Sequence, residues 1–124
     1  VTSPGGPTGA LGSRAEQAVA DYLERAGFAI VARNLRLGRL ELDIVARQGQ
    51  LVVVVEVRTR SAGAWTTGLS SLTWSKRERI RRAGQRLWRQ RYKNDLSVER
   101  LRFDAASVHF EGANPRVEYV IAAF

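Results

Sequence analysis

Between Ser13 and Ala26 the apolar residues Ala15, Ala18, Val19, Tyr22, Leu23 and Ala26 return every three or four positions, the spacing of one helix face, and Gly27 supplies a stop. Glu16 falls at the edge of that stripe, so its carboxylate can turn toward whatever the helix packs on. Three strand-length runs rich in Val, Ile and Leu follow: Phe28–Arg36, Leu40–Arg47 and Leu51–Arg58. A two-residue loop at Gln48–Gly49 sets Arg47 opposite Gln50 and puts odd positions of the second run on the face of even positions of the third. That parity gathers Glu41, Asp43, Glu56 and Arg58 on one face. It leaves Leu40, Leu42 and Ile44 with Val53, Val55 and Val57 on the other; a three-residue loop would reverse it.

Ser61–Leu72 is rich in Gly, Ser and Thr and reads as a mobile loop beside a site, with Trp65 either stacking on a base or packing on the rim. A second helix is expected from about Ser75 to Tyr92, with Ile80, Ala83, Gly84, Leu87 and Trp88 facing inward. Two closing strands, Leu101–Phe110 and Val117–Ala122, flank a turn at Gly112–Pro115. The Gly- and Pro-bearing start offers little to bury, so residues 1–11 read as a disordered tail and residues 12–124 as one domain. The pattern predicts an α/β fold with a central mixed sheet flanked by helices.

Charge changes the picture more than composition does. The net charge is +8, from 20 basic and 12 acidic residues, and the excess sits between Lys76 and Lys93, where nine basic residues accompany Glu78 alone. Such a segment suits phosphate contact, for which Lys76, Arg77, Arg79, Arg82 and Arg86 are candidates with Arg60; a solvated helix face is the plainer alternative. Cysteine is absent and His109 is the single histidine, which excludes thiolate chemistry and a two-histidine metal centre. Any metal must be held by oxygen, which favours Mg2+ or Mn2+ over zinc. No apolar run approaches the roughly 20 residues of a membrane span, and no signal-like start is evident, so the expected location is the cytoplasm.

Glu56-Val57-Arg58 places a carboxylate and a cation on one face at the end of a valine-rich strand, although chance supplies about two such triplets at this composition. The setting strengthens it, because Glu41 and Asp43 fall on the neighbouring strand within a segment built for burial. Two carboxylates about 4 Å apart repel by roughly 4 kcal/mol at an effective dielectric of 20, so the cluster needs a proton, an arginine or a divalent cation. Arg58 and Arg60 could supply an ordinary ion-pair network instead. A bound metal would polarise a phosphoryl oxygen and acidify an attacking water.

The chain resembles the YraN-like family of the PD-(D/E)XK nuclease superfamily, similar to archaeal Holliday-junction resolvases. The resemblance runs from about Leu11 to Phe124 and rests on Gly12 with Glu16, Arg33-Asn34, Glu41-Leu42-Asp43, Val55-Glu56-Val57-Arg58 with Arg60, Lys76 with Ile80 and Ala83, Arg102-Phe103-Asp104, and the closing Ala123-Phe124. It implies a restriction-endonuclease-like core, with Glu16, Asp43 and Glu56 at the metal-site positions, metal-dependent phosphodiester hydrolysis on DNA, branched substrates and a homodimer. Where the family pattern has lysine after the strand carboxylate, this chain has Arg58, a poor general base that can still hold the scissile phosphate. Lys76 could reach the site from the second helix, or be one more phosphate contact. The rival expectations are a non-cleaving nucleic-acid-binding module and a scaffold whose basic helix docks an acidic partner.

Overall fold

A computed structural model describes residues 9–60 and 73–124, without the side chains of residues 9–11 and 60. Its elements are α1 (Gly9–Arg25), β1 (Ala29–Leu37), β2 (Leu40–Gln48), β3 (Leu51–Arg60), α2 (Trp74–Leu87), a π-helical turn (Trp88–Tyr92), β4 (Arg100–Glu111) and β5 (Asn114–Val120). The strands lie in chain order in one sheet, antiparallel except for the parallel β3–β4 pair. A hairpin cannot join parallel neighbours, so the chain crosses over between them and α2 lies in that crossover. The outcome is an α/β fold with a central mixed sheet flanked by helices, consistent with a restriction-endonuclease-like core.

The valine run of β3 is continuous because both faces are covered. Val53, Val55 and Val57 pack with Ala15, Val19 and Leu23 of α1, whereas Val52 and Val54 pack with Ile80, Ala83 and Leu87 of α2. β2 departs from simple alternation. Ile44 and Ala46 join the α1 side, but Leu42 and the half-buried Leu40 join the α2 side, so the single apolar face expected for Leu40, Leu42 and Ile44 is split. The split falls at Asp43: the β1–β2 pairing passes from Arg33↔Ile44 to Leu35↔Leu42 in unchanged register, and opposite the unpaired Asp43 stands Asn34, whose φ of 51° is left-handed.

The β2–β3 loop is Gly49–Gln50, with Gln48 opposite Leu51, rather than Gln48–Gly49. Gly49 takes a φ of 58°, which suits the first position of a hairpin loop that favours glycine. Each strand slips by one residue, so parity survives and odd positions of β2 still oppose even positions of β3.

Other details of the elements also differ from expectation. α1 takes in Gly9, Ala10 and Leu11, since alanine and leucine are strong helix formers and no proline intervenes before Ser13. The second helix reaches Tyr92 as expected, but its end winds as a π-helical turn in which Lys93 N–H donates to Trp88 O at 2.8 Å. β5 begins at Asn114 and runs through Pro115, which an edge strand tolerates. The rest of the expected tail, and the Ser61–Leu72 loop with Trp65, lie outside the described residues. Among the described residues no helix is long and apolar enough to cross a membrane.

Candidate functional site

The β2–β3 ladder ends at Ile44↔Val55, and Asp43 and Glu56 stand one step beyond, where the strands part. Asp43 Oδ2 accepts from the Val57 N–H at 2.9 Å, a side-chain bond that takes the place of a ladder bond. Both carboxylates are buried, at 7% and 6% exposure. Burial first, then the charge of Glu56 and a side-chain hydrogen bond with it, push Asp43 up to about 8; the Val57 N–H opposes the rise. Near neutrality Asp43 therefore keeps its proton, or the pair takes a cation in its place.

Lys76 comes to this pair from the first turn of α2. Thr73 caps the helix by accepting from the Lys76 N–H at 3.2 Å, and the Lys76 Nζ lies 2.8 Å from Glu56 Oε1. Of the two sequence readings of Lys76, the geometry is that of a lysine delivered to the carboxylates by a helix. Glu41 is the third acid near them. Among the described residues no hydrogen bond satisfies its two buried oxygens, and its ion-pair partner is Arg36 Nε at 3.7 Å.

Glu16 stands apart from this group. It is 3% exposed, accepts from Asn34 Nδ2 at 3.0 Å and lies 3.7 Å from Arg33 Nη2. Its charge is the smallest of the influences raising Asp43. Among the described residues, no three His, Cys, Asp or Glu side chains stand together as a ready metal-ligand set. The structure therefore gathers Asp43 and Glu56, while Asn34 and Arg33 of β1 hold the expected third member, Glu16, on their own side.

A cavity of about 240 Å3 contains the pair. Among the described residues its walls carry three carboxylates, Glu41, Asp43 and Glu56, against four cations, Arg36, Arg39, Lys76 and Arg79; Glu16 and Arg58 are not among its lining residues. The donors fit a hard divalent ion: they are all oxygen and largely desolvated, and the Glu41 oxygens lack hydrogen-bond partners among the described residues. Arg58 is half-buried on β3 beside Ser107 of β4. Arg77 is half-buried on α2, and the Arg60 side chain lies outside the described residues. Arg82 lies farther along α2, and Arg86 Nη1 donates to Leu37 O at 2.8 Å.

Sequence reasoning missed Arg36 and Arg39. Their signal was position, because they flank Gly38 at the tip of the β1–β2 hairpin that carries Glu41 back toward the site. It also passed over Trp74, which is 75% exposed two residues before Lys76 and is a described aromatic of the kind sought at Trp65.

Comparison with known proteins places this geometry in a family. Residues 15–108 match the family described as "Uncharacterised protein family UPF0102". The chain is similar to a UPF0102 protein of Sorangium cellulosum (strain So ce56), 53% identical over 116 residues that cover 93% of this chain and 81% of that protein. It is 36% identical to one from Geobacter metallireducens, covering 92% and 91% of the two chains, and 39% identical to one from Nocardia farcinica, covering 93% and 89%.

Proposed function

The chain belongs to the UPF0102 (YraN-like) family, within the PD-(D/E)XK nuclease-like superfamily, and from that premise we propose that it is a Mg2+- or Mn2+-dependent nuclease that hydrolyses phosphodiester bonds of DNA, branched DNA included. The observation that carries this reading is the desolvated Asp43–Glu56 pair at the parting of β2 and β3, with Lys76 held 2.8 Å from Glu56. Asp43 and Glu56 would hold the ion, Glu41 would flank it, and Glu16 would add negative charge from behind. When bound, the ion supplies Lewis acidity to a phosphoryl oxygen and acidity to a water. The remaining work falls to the chain's own cations. Glu56 fixes Lys76, whose other N–H donors are directed to non-bridging or leaving oxygens of the phosphate. Arg36, Arg39 and Arg79 line the same cavity and supply the planar forks that suit phosphate.

The test incubates the protein with branched and linear DNA, with Mn2+ or EDTA, beside Asp43→Ala. Metal-dependent cutting that the variant loses supports the nuclease. A second reading has its own support: Lys76 already neutralises Glu56 without a metal, and Arg58 stands where the family pattern has lysine. On that reading the chain is a nucleic-acid-binding module with a degenerate site, and it binds in a salt-sensitive way without cutting.

A further inference from the structure

A second cavity, of about 640 Å3, adjoins the carboxylate cavity and shares Arg39 and Arg79 with it; Arg82, Arg86 and Arg89 continue its wall. Among the described residues, no carboxylate lines it. Among the described residues, no acid pairs with Arg39, Arg79, Arg82 or Arg89. Cations gathered along one channel without acids focus potential and attract a polyanion.

Arg86 has a different role. Its Nη1 is committed to Leu37 O at 2.8 Å, and its guanidinium lies so close to Gly38 that a Cβ there would meet Nη1 at 2.5 Å. Arg86 therefore clamps the β1–β2 hairpin tip against α2, which fixes Arg39 on the wall opposite the helix arginines. On the helix side Arg79 and Arg82 of α2 and Arg89 of the π-helical turn line the groove, with Lys76 at its carboxylate end; at about 1.5 Å per residue the run from Lys76 to Arg89 is about 20 Å long. At about 3.4 Å per nucleotide along one duplex strand, that run matches roughly six nucleotides.

We propose that this arginine groove is the track of one phosphodiester backbone. Arg39, Arg79, Arg82 and Arg89 contact phosphates spaced along it, Arg86 acts as a positioning residue, and the track opens at its Lys76 end onto Asp43 and Glu56. Only the destination of the track rests on the nuclease reading; the grip needs no cleavage.

Binding of a fluorescein-labelled 20-base-pair DNA is measured by anisotropy in EDTA across a salt series. Each of Arg39→Gln, Arg82→Gln and Arg89→Gln is expected to lower the slope of log K against log salt by about 0.9, and the triple variant by nearly three. Arg25→Gln and Arg100→Gln, on exposed arginines away from the groove, leave the slope unchanged. Melting temperatures within a few degrees of wild type show that each variant is folded. Equal losses in groove and control variants, or an unchanged slope in the triple variant, overturn the proposal; so does displacement of the DNA by polyglutamate at equal charge. Groove losses as expected with no metal-dependent cutting retire the nuclease reading and keep the track. Cutting that the triple variant performs with unaltered binding retires the track alone.

Discussion

Asp43 and Asp104 are the same residue type, both buried, on the strands either side of β3, yet their surroundings differ. Asp104, 0% exposed, receives Arg102 through both oxygens at 2.9 Å, the Tyr119 hydroxyl at 2.6 Å and the Ala122 N–H at 2.8 Å. Burial and the neighbouring Asp104 push Tyr119 above its ordinary range, so it remains a donor. Asp43 has one backbone N–H and a second carboxylate. Burial alone does not mark a site. What marks it is a buried charge whose neighbours leave its balance open.

The largest effect should come from the closed centre. Asp104→Ala strands Arg102 and frees the strap formed by Tyr119 and Ala122, and removing one partner of a buried ion pair costs about 3–5 kcal/mol. Urea denaturation measures it, and a loss below about 1 kcal/mol would mean that the two aspartates are alike after all. Asp43→Asn keeps an acceptor for Val57 and removes the repulsion, so at pH 8 the variant should be at least as stable as wild type.

The next effect separates the two aspartates by pH. The folded value of Asp43, about 8, lies above its ordinary 3.8, so the folded state keeps a proton that the unfolded chain releases. That contribution is complete below about pH 4 and is lost as pH rises toward 8, at about 1.4 kcal/mol per unit and on the order of a few kcal/mol in all. The melting temperature of the metal-free protein should fall between pH 5 and 8, with Asp43→Asn flattening the slope. Mn2+ added at pH 8 should restore the wild type and not the variant. Parallel curves for the two proteins would remove Asp43 as the cause.

Much of this contrast was legible in the sequence. Alternation in Leu51–Val57 with the hairpin parity brought Asp43 and Glu56 to one face, and the parity survived because the loop slipped by a whole residue on each strand. Lys76 was legible only as a possibility, since its arrival at Glu56 depends on how the crossover helix is laid on the sheet, which local periodicity does not encode. The split of Leu42 from Ile44 was hidden for a related reason: it falls where Asn34 adopts a left-handed φ opposite Asp43, and residue types inside a strand do not announce such a conformation. The separation of Glu16 follows from the same place, through its bond to Asn34.

Lys76 itself tests how open the balance is. Its side chain is 35% exposed, so the ion pair with Glu56 is discounted for solvent and Lys76→Ala should cost no more than about 1 kcal/mol. On the nuclease reading, cutting should fall at least about tenfold, because a positioned donor at the phosphate is lost. Mn2+ affinity should hold or rise, because Glu56 no longer shares its charge. Unchanged cutting would demote Lys76 to an ordinary surface cation.

The smallest expected effect concerns Glu16, which lies between the two regimes: buried like both aspartates, paired with Asn34 and Arg33, and felt by Asp43 at range. Asn34→Gly accepts the positive φ and deletes only the bond to Glu16, a change worth about 1 kcal/mol, whereas Asn34→Ala adds left-handed strain of about 1–2 kcal/mol. A residue that orients a metal ligand typically lowers affinity 10- to 100-fold when removed. If Glu16 acts on the carboxylate pair only through its charge, Asn34→Gly should change Mn2+ affinity by less than about threefold in calorimetric titration at pH 8. A loss of tenfold or more would move Glu16 into the ligand set and make the open centre a three-carboxylate site, held on one side by the same kind of partner that closes Asp104.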